Sequence, residues 1–202
     1  MSERVEYLLG LDEVGLGSCA GPASFCGVLG PKDSPFLLKL ATEGVIKDSK
    51  KIKVKSRMER ARTEIEKVSK LADHGFFLVH SSPQEIDEIG LASAIKKSFL
   101  EIITHFASFQ PQVILDGRIQ IPNLPAGIQV LNMDKADSKI PHVMAAACYA
   151  KATRDQIMTE LAIQYPGYEW HKNVGYPSPA HKAGIRKHGF TPYHRTSYDI
   201  KL

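Results

Sequence analysis

Cysteine is scarce in this chain of 202 residues. Cys19, Cys26 and Cys148 form no even-numbered framework and no C-x-x-C pair, which excludes a disulfide-stapled scaffold and a cysteine-based zinc site. They read as reduced, small, buried side chains. Long apolar runs are missing too: no stretch approaches the roughly 18 residues that a membrane helix needs. The opening MSERVEYLLGLDEVG has charges on both sides of a very short apolar run, unlike a secretory signal, so a cytoplasmic protein is expected. Internal repeats, low-complexity tracts and inter-domain linkers are also lacking. One main core is therefore expected, and a monomer is the plain expectation. Finally, there is no strong excess of one charge. A net +4 suits a polyanionic partner but is shared by many proteins that bind no nucleic acid.

What is present is an alternation of strands and helices. Short apolar runs predict strands over residues 7–11, 23–29, 75–80, 112–115 and 127–131. The first ends at Asp12-Glu13 before Gly15-Leu16-Gly17. Met58, Ala61, Ile65, Val68 and Leu71 return at spacings of three and four and mark a helix over 55–71. Ser82-Pro83-Gln84-Glu85 supplies an N-cap, a first-turn proline and a capping-box glutamate. A long helix is predicted from there to 106, its apolar face formed by Ile86, Ile89, Ala92, Ile95, Phe99, Ile102 and Ile103. The alanine-rich periodic stretch 140–163 is a further helix, and Ser178-Pro179 starts a last short one. This is an α/β layer structure.

Asp12 and Glu13 fall in an otherwise apolar stretch, where an ionised carboxylate is rare unless a cation or donor compensates it. Adjacent strand residues point to opposite faces, so both reach one site only if the chain leaves strand geometry there, which Gly15 and Gly17 could allow. Asp116 ends an apolar strand before a glycine, and Asp137 precedes the long helix. Each also suits a bland role, as a turn former or a helix N-terminal charge. The histidines, including His171, His181, His188 and His194, show no zinc-ligand spacing.

The segments LLGLDEVGLGSCAGP, DSKK, ILDG, KADSKIPHVMAAACYAKATRDQIM, NVGYPSPAH and HRTSY, in this order and spanning nearly the whole chain, resemble the successive signatures of ribonuclease HII. The resemblance implies a ribonuclease H-like fold, with a central mixed β-sheet flanked by helices and a helical C-terminal part. It implies one domain over 1–202, of which about 165–202 is a substrate-contacting extension. It also implies an endonuclease that cuts the RNA strand of RNA–DNA hybrids, leaving 5′-phosphate and 3′-hydroxyl ends. Asp12, Glu13, Asp116 and Asp137 would be its catalytic, metal-binding quartet for Mg²⁺ or Mn²⁺, with Asp155 behind them. Such chemistry needs oxygen ligands, because two hard cations about 3.5–4 Å apart stabilise the attacking and leaving oxygens of a phosphodiester.

Substrate contacts follow from the same likeness. In the family a G-R-G or G-K-G turn meets the ribonucleotide; here Gly15-Leu16-Gly17 keeps the glycines and lacks the cation. Cleavage of continuous hybrids should persist, while incision of a DNA duplex at a single embedded ribonucleotide should weaken. Ser49 and Lys50 of the DSK motif, within the basic run Lys47, Lys50, Lys51, Lys53, Lys55 and Arg57, would meet phosphates. Tyr176 would pack on a neighbouring sugar, and Arg195 would contact phosphate or pair with an acid. Two rivals stand beside this reading: a non-catalytic nucleic-acid-binding relative, and another two-metal phosphotransferase on the same fold.

Overall fold

The computed structural model describes residues 5–49, 52 and 55–202, the side chain of Lys55 excepted. Five strands form one mixed sheet in the order β3-β2-β1-β4-β5: β1 (Tyr7–Val14), β2 (Ala23–Pro31), β3 (Gly75–Ser81), β4 (Gln112–Asp116) and β5 (Val130–Met133). β1 pairs antiparallel with β2, and β2 with β3, whereas β1–β4 and β4–β5 are parallel. Helices α1 (Pro35–Thr42), α2 (Lys55–Val68) and α5 (Pro141–Gln164) cover one face; α3 (Pro83–Ile89) and α4 (Leu91–His105) cover the other. The short helix α6 (Trp170–Asn173) and α7 (Pro179–His188) follow α5 and close over its far end.

The strand pleat sorts the side chains. Leu9 and Leu11 pack with Phe25, Phe99, Ile102 and Val113 on the α4 side, while Leu8 and Ile114 pack with Val143 of α5. Gly10 lies where α5 crosses close to β1: a Cβ there would stand 2.4 Å from the carbonyl carbon of His142 and the nitrogen of Val143. Because those atoms are backbone, Gly10→Ala should cost roughly 1–3 kcal/mol, seen as a lower urea midpoint. An unchanged midpoint would contradict this close crossing.

Several expectations need adjusting. β1 does not end at Asp12-Glu13 but runs regularly to Val14, paired opposite Ser24. The helix expected from 82 to 106 is broken at Gly90, at φ 79°. Ser82 caps the first piece by accepting from Glu85 N–H at 3.1 Å. Beyond the break the buried face is Ala94, Ser98, Phe99, Ile102 and Ile103; Ala92 is exposed, because the glycine resets the helical phase. α2 stops at Val68, and the strand expected over 127–131 lies at Val130–Met133. α1 was missed, although Ser34-Pro35 has the same serine–proline start as the other two capped helices, Ser34 accepting from Leu37 N–H.

Candidate metal centre and its cleft

Parallel pairing sets Gly10 beside Ile114 and Leu11 beside Leu115. Carried one residue further, this register brings Asp12 and Asp116 together at the ends of adjacent strands, both on the α5 side by the period of two. Asp137 arrives in the 3-10 turn Ala136–Ser138 between β5 and α5, entered through Lys135 in a left-handed conformation. One carboxylate oxygen from each of the three lies within 4.8 Å of the others. Asp12 and Asp137 are buried, and Ala136 N–H donates to Asp116 Oδ1 at 2.8 Å, fixing that carboxylate. Glu13 stands outside this group. With β1 regular at this point, its side chain alternates away from that of Asp12, although Glu13 still lines the cleft above.

Burial, and then the charges of Glu13, Asp116 and Asp137, push the Asp12 carboxyl well above the usual range, against a hydrogen bond from Glu13 N–H at 2.7 Å. A buried site of converging carboxylates that resists its own ionisation fits a hard divalent cation, which supplies the missing positive charge and takes oxygen ligands.

A cleft of about 260 Å³ opens over these groups, lined by Asp12, Glu13, Gly15, Leu16, Gly17, Ser49, Asp116, Lys151, Arg154, Asp155 and Tyr176 among others. It thus gathers most of the sequence-derived substrate residues. Lys50 lies outside the described residues. Gly17 and Tyr176 are exposed, with the tyrosine ring 3.6 Å from where a Gly17 Cβ would be. Asp155 pairs with Lys151 Nζ at 2.8 Å.

Arg195 is fully buried rather than presented to the cleft. Its guanidinium donates to the carbonyls of Gly21 and Leu16 and to the Tyr198 hydroxyl, which itself donates to Leu16 O at 2.7 Å. It therefore holds the glycine turn from behind. The following residues are latched by Asp87 of α3, which accepts from both backbone N–H groups and both hydroxyls of Thr196 and Ser197.

Arg154 is not among the expected site residues, although a lone arginine in an alanine-rich helix is a usable signal. Fully buried, it donates to the carbonyls of Pro22 (2.8 Å), Val174 (2.9 Å) and Ala20 (3.2 Å). Gly15, at φ 85°, exists to admit it: a Cβ there would meet Arg154 Nε at 2.1 Å. His181 and His194 do meet, yet all four ring nitrogens are engaged. Trp170 Nε1–H can only donate, so His181 Nε2 accepts and its Nδ1–H holds the Tyr176 carbonyl at 2.9 Å. His194 accepts from Thr191 N–H through Nδ1 and faces His181 through Nε2. Burial and the neighbouring His181 lower His194 to about 4, so this pair is a neutral brace and offers no zinc ligand. Ser34, His74 and Asp73 line up at 2.7 and 2.6 Å like a hydrolytic relay, but Ser34 is buried and already caps α1.

The family model described as Ribonuclease HII matches residues 9–201 of the chain. The ribonuclease HII of Clostridium beijerinckii is 36% identical over 97% of this chain and 68% of its own length. That of Aliarcobacter butzleri is also 36% identical, over 98% of this chain and 93% of its own. Among solved structures, a chain of the PCNA:RNase HII complex from Archaeoglobus fulgidus superposes with a TM-score of 0.73 at 24% identity, covering 96% of each chain. The architecture is accordingly the ribonuclease H-like fold.

Proposed function

The chain belongs to the ribonuclease HII family and is a ribonuclease H endonuclease acting on RNA–DNA hybrids, and we propose that Asp12, Asp116 and Asp137 hold the divalent metal on which it depends. Glu13 completes the acidic set from the adjoining strand position, and Mg²⁺ or Mn²⁺ is the ion. The convergence of three carboxylates within 4.8 Å beside the C-terminal ends of the inner strands β1 and β4 carries this reading. Ions bound there would stabilise the attacking and leaving oxygens of an in-line displacement.

The chain's own groups orient the substrate. The Gly15-Leu16-Gly17 turn, its Leu16 carbonyl held by Arg195 and Tyr198, brings bare backbone beside the carboxylates, where a 2′-hydroxyl distinguishes RNA from DNA. Tyr176 offers a flat face to the neighbouring sugar. Ser49, with Lys50 beside it in sequence, meets the phosphates, and residues 165–202 serve as the substrate-contacting extension of one domain. The protein works as a cytoplasmic monomer; no described helix is long and apolar enough to cross a membrane.

The deciding experiment is cleavage with Mg²⁺, Mn²⁺ or chelator of three duplexes: a continuous hybrid, a DNA duplex with one ribonucleotide, and all-DNA. Metal-dependent cutting of the hybrid and none of all-DNA is expected. Leucine cannot donate to phosphate, so the single-ribonucleotide duplex should be cut more slowly, and Leu16→Arg should raise that rate selectively, by roughly tenfold for one charge-assisted contact. Equal wild-type rates with no gain in the variant would remove this specificity role from Leu16.

A further inference from the structure

Of the two described cations that line the carboxylate cleft, Arg154 is committed to three backbone carbonyls, and only Lys151 has a head group free to change partner. Lys151 stands on α5 one turn before Asp155, with Nζ 2.8 Å from Oδ2, the two side chains being 24% and 34% exposed. Asp155 Oδ1 is buried and has no hydrogen-bond partner. The pair lines both the carboxylate cleft and an adjoining groove of about 430 Å³ that runs past Met58, Gln156 and Lys172. It therefore sits at the junction between the acidic centre and that groove.

A cleft with Asp12, Glu13, Asp116 and Asp155 on its wall repels a polyanion. We propose that Lys151 is an exchangeable counter-ion: it rests on Asp155 in the substrate-free cleft and turns to a phosphate of the entering nucleic acid. An ammonium on a flexible stem suits this exchange, because a part-exposed i,i+4 pair is held only weakly, whereas a phosphate offers a more highly charged acceptor. The inference rests on the metal-dependent reading of the cleft. It makes Lys151 a substrate-binding residue whose removal has two opposite effects. Without the ammonium the cleft is more negative, so a divalent cation binds more tightly; the same loss leaves one phosphate without its partner, so substrate binds more weakly.

Lys151→Met and Lys151→Arg test this against wild type by calorimetry with Mn²⁺ alone, by hybrid binding from 50 to 200 mM salt without metal, and by steady-state cleavage. For Lys151→Met, Mn²⁺ affinity should rise several-fold, KM for hybrid should rise about tenfold with kcat little changed, and the salt slope should fall by about one. Lys151→Arg should return all three towards wild type. Unchanged or weaker Mn²⁺ binding in Lys151→Met, or a fall in kcat at constant KM, overturns the proposal. Wild-type protein that neither binds Mn²⁺ nor cuts the hybrid overturns the metal reading and this inference with it; wild type that does both beside an indifferent Lys151→Met overturns the inference alone.

Discussion

Asp12→Asn is expected to abolish hybrid cleavage, by about a thousandfold or more, while raising the melting temperature of the metal-free protein. Both effects have one cause. The Asp12 carboxyl is buried beside Glu13, Asp116 and Asp137, and its folded-state pKa lies well above the unfolded value. Between those two values the folded protein retains a proton that the unfolded chain has lost. The associated stability is complete below the unfolded pKa of about 3.9 and is lost as pH rises through the folded one. As pH rises above the unfolded value, the metal-free wild type therefore carries a growing cost of crowding Asp12 against Glu13, Asp116 and Asp137, and the asparagine variant does not. The gain in melting temperature should shrink as pH falls towards 4. Added Mn²⁺ should stabilise wild type in a concentration-dependent way and Asp12→Asn far less, since the ion binds the folded state through the missing charge. Scanning calorimetry across pH, with and without the ion, checks each part. A variant less stable than wild type at pH 8 would mean that Asp12 serves the fold.

Arg154→Met is expected to destabilise the protein by about 3–5 kcal/mol and to impair substrate binding in whatever remains folded. The guanidinium has no exposed surface, and burial, followed by the nearby Arg195, lowers it to about 10. It is tolerated because three carbonyls accept from it, and their removal from water is in turn tolerated because it donates. Those carbonyls belong to Ala20 and Pro22, just after the glycine turn, and to Val174, two residues before Tyr176. Truncation leaves all three without a donor and loosens the turn and the tyrosine together. Arg154→Lys keeps the charge but not the planar fork, so it should rescue little. Urea unfolding and the KM for hybrid measure the two consequences. Loss of less than about 1 kcal/mol would show that the carbonyls find other partners.

Asp12, Glu13 and Asp116 were legible in the chain because they interrupt or end an apolar run, where a carboxylate is out of place, whereas Asp137, in a polar stretch, was marked by the family resemblance. Their shared purpose was not. Asp12 and Asp116 are 104 positions apart in number and become neighbours only through the parallel register of β1 and β4. The expectation that the chain must leave strand geometry for Asp12 and Glu13 to share a centre was itself informative. The strand stays regular, and the three-carboxylate group forms without Glu13. The periodic helices and the serine–proline starts of α3 and α7 were readable because they depend on neighbours three and four residues away. The break at Gly90 was not, since a helix tolerates glycine and only packing of Ala94 and Phe99 against the sheet selects the new phase.

Local pattern thus determined the α/β alternation and the caps, and family motifs named the four carboxylates and the Gly15-Leu16-Gly17 turn as the place of substrate contact. Tertiary structure alone decided what holds that turn: Arg195, expected to contact phosphate or pair with an acid, is buried behind it, and Arg154 fills the space that Gly15 leaves. The reason is that a guanidinium looks the same in sequence whether it faces solvent or carbonyls. Its role is set by which backbone oxygens, contributed from distant segments, would otherwise be buried without a donor.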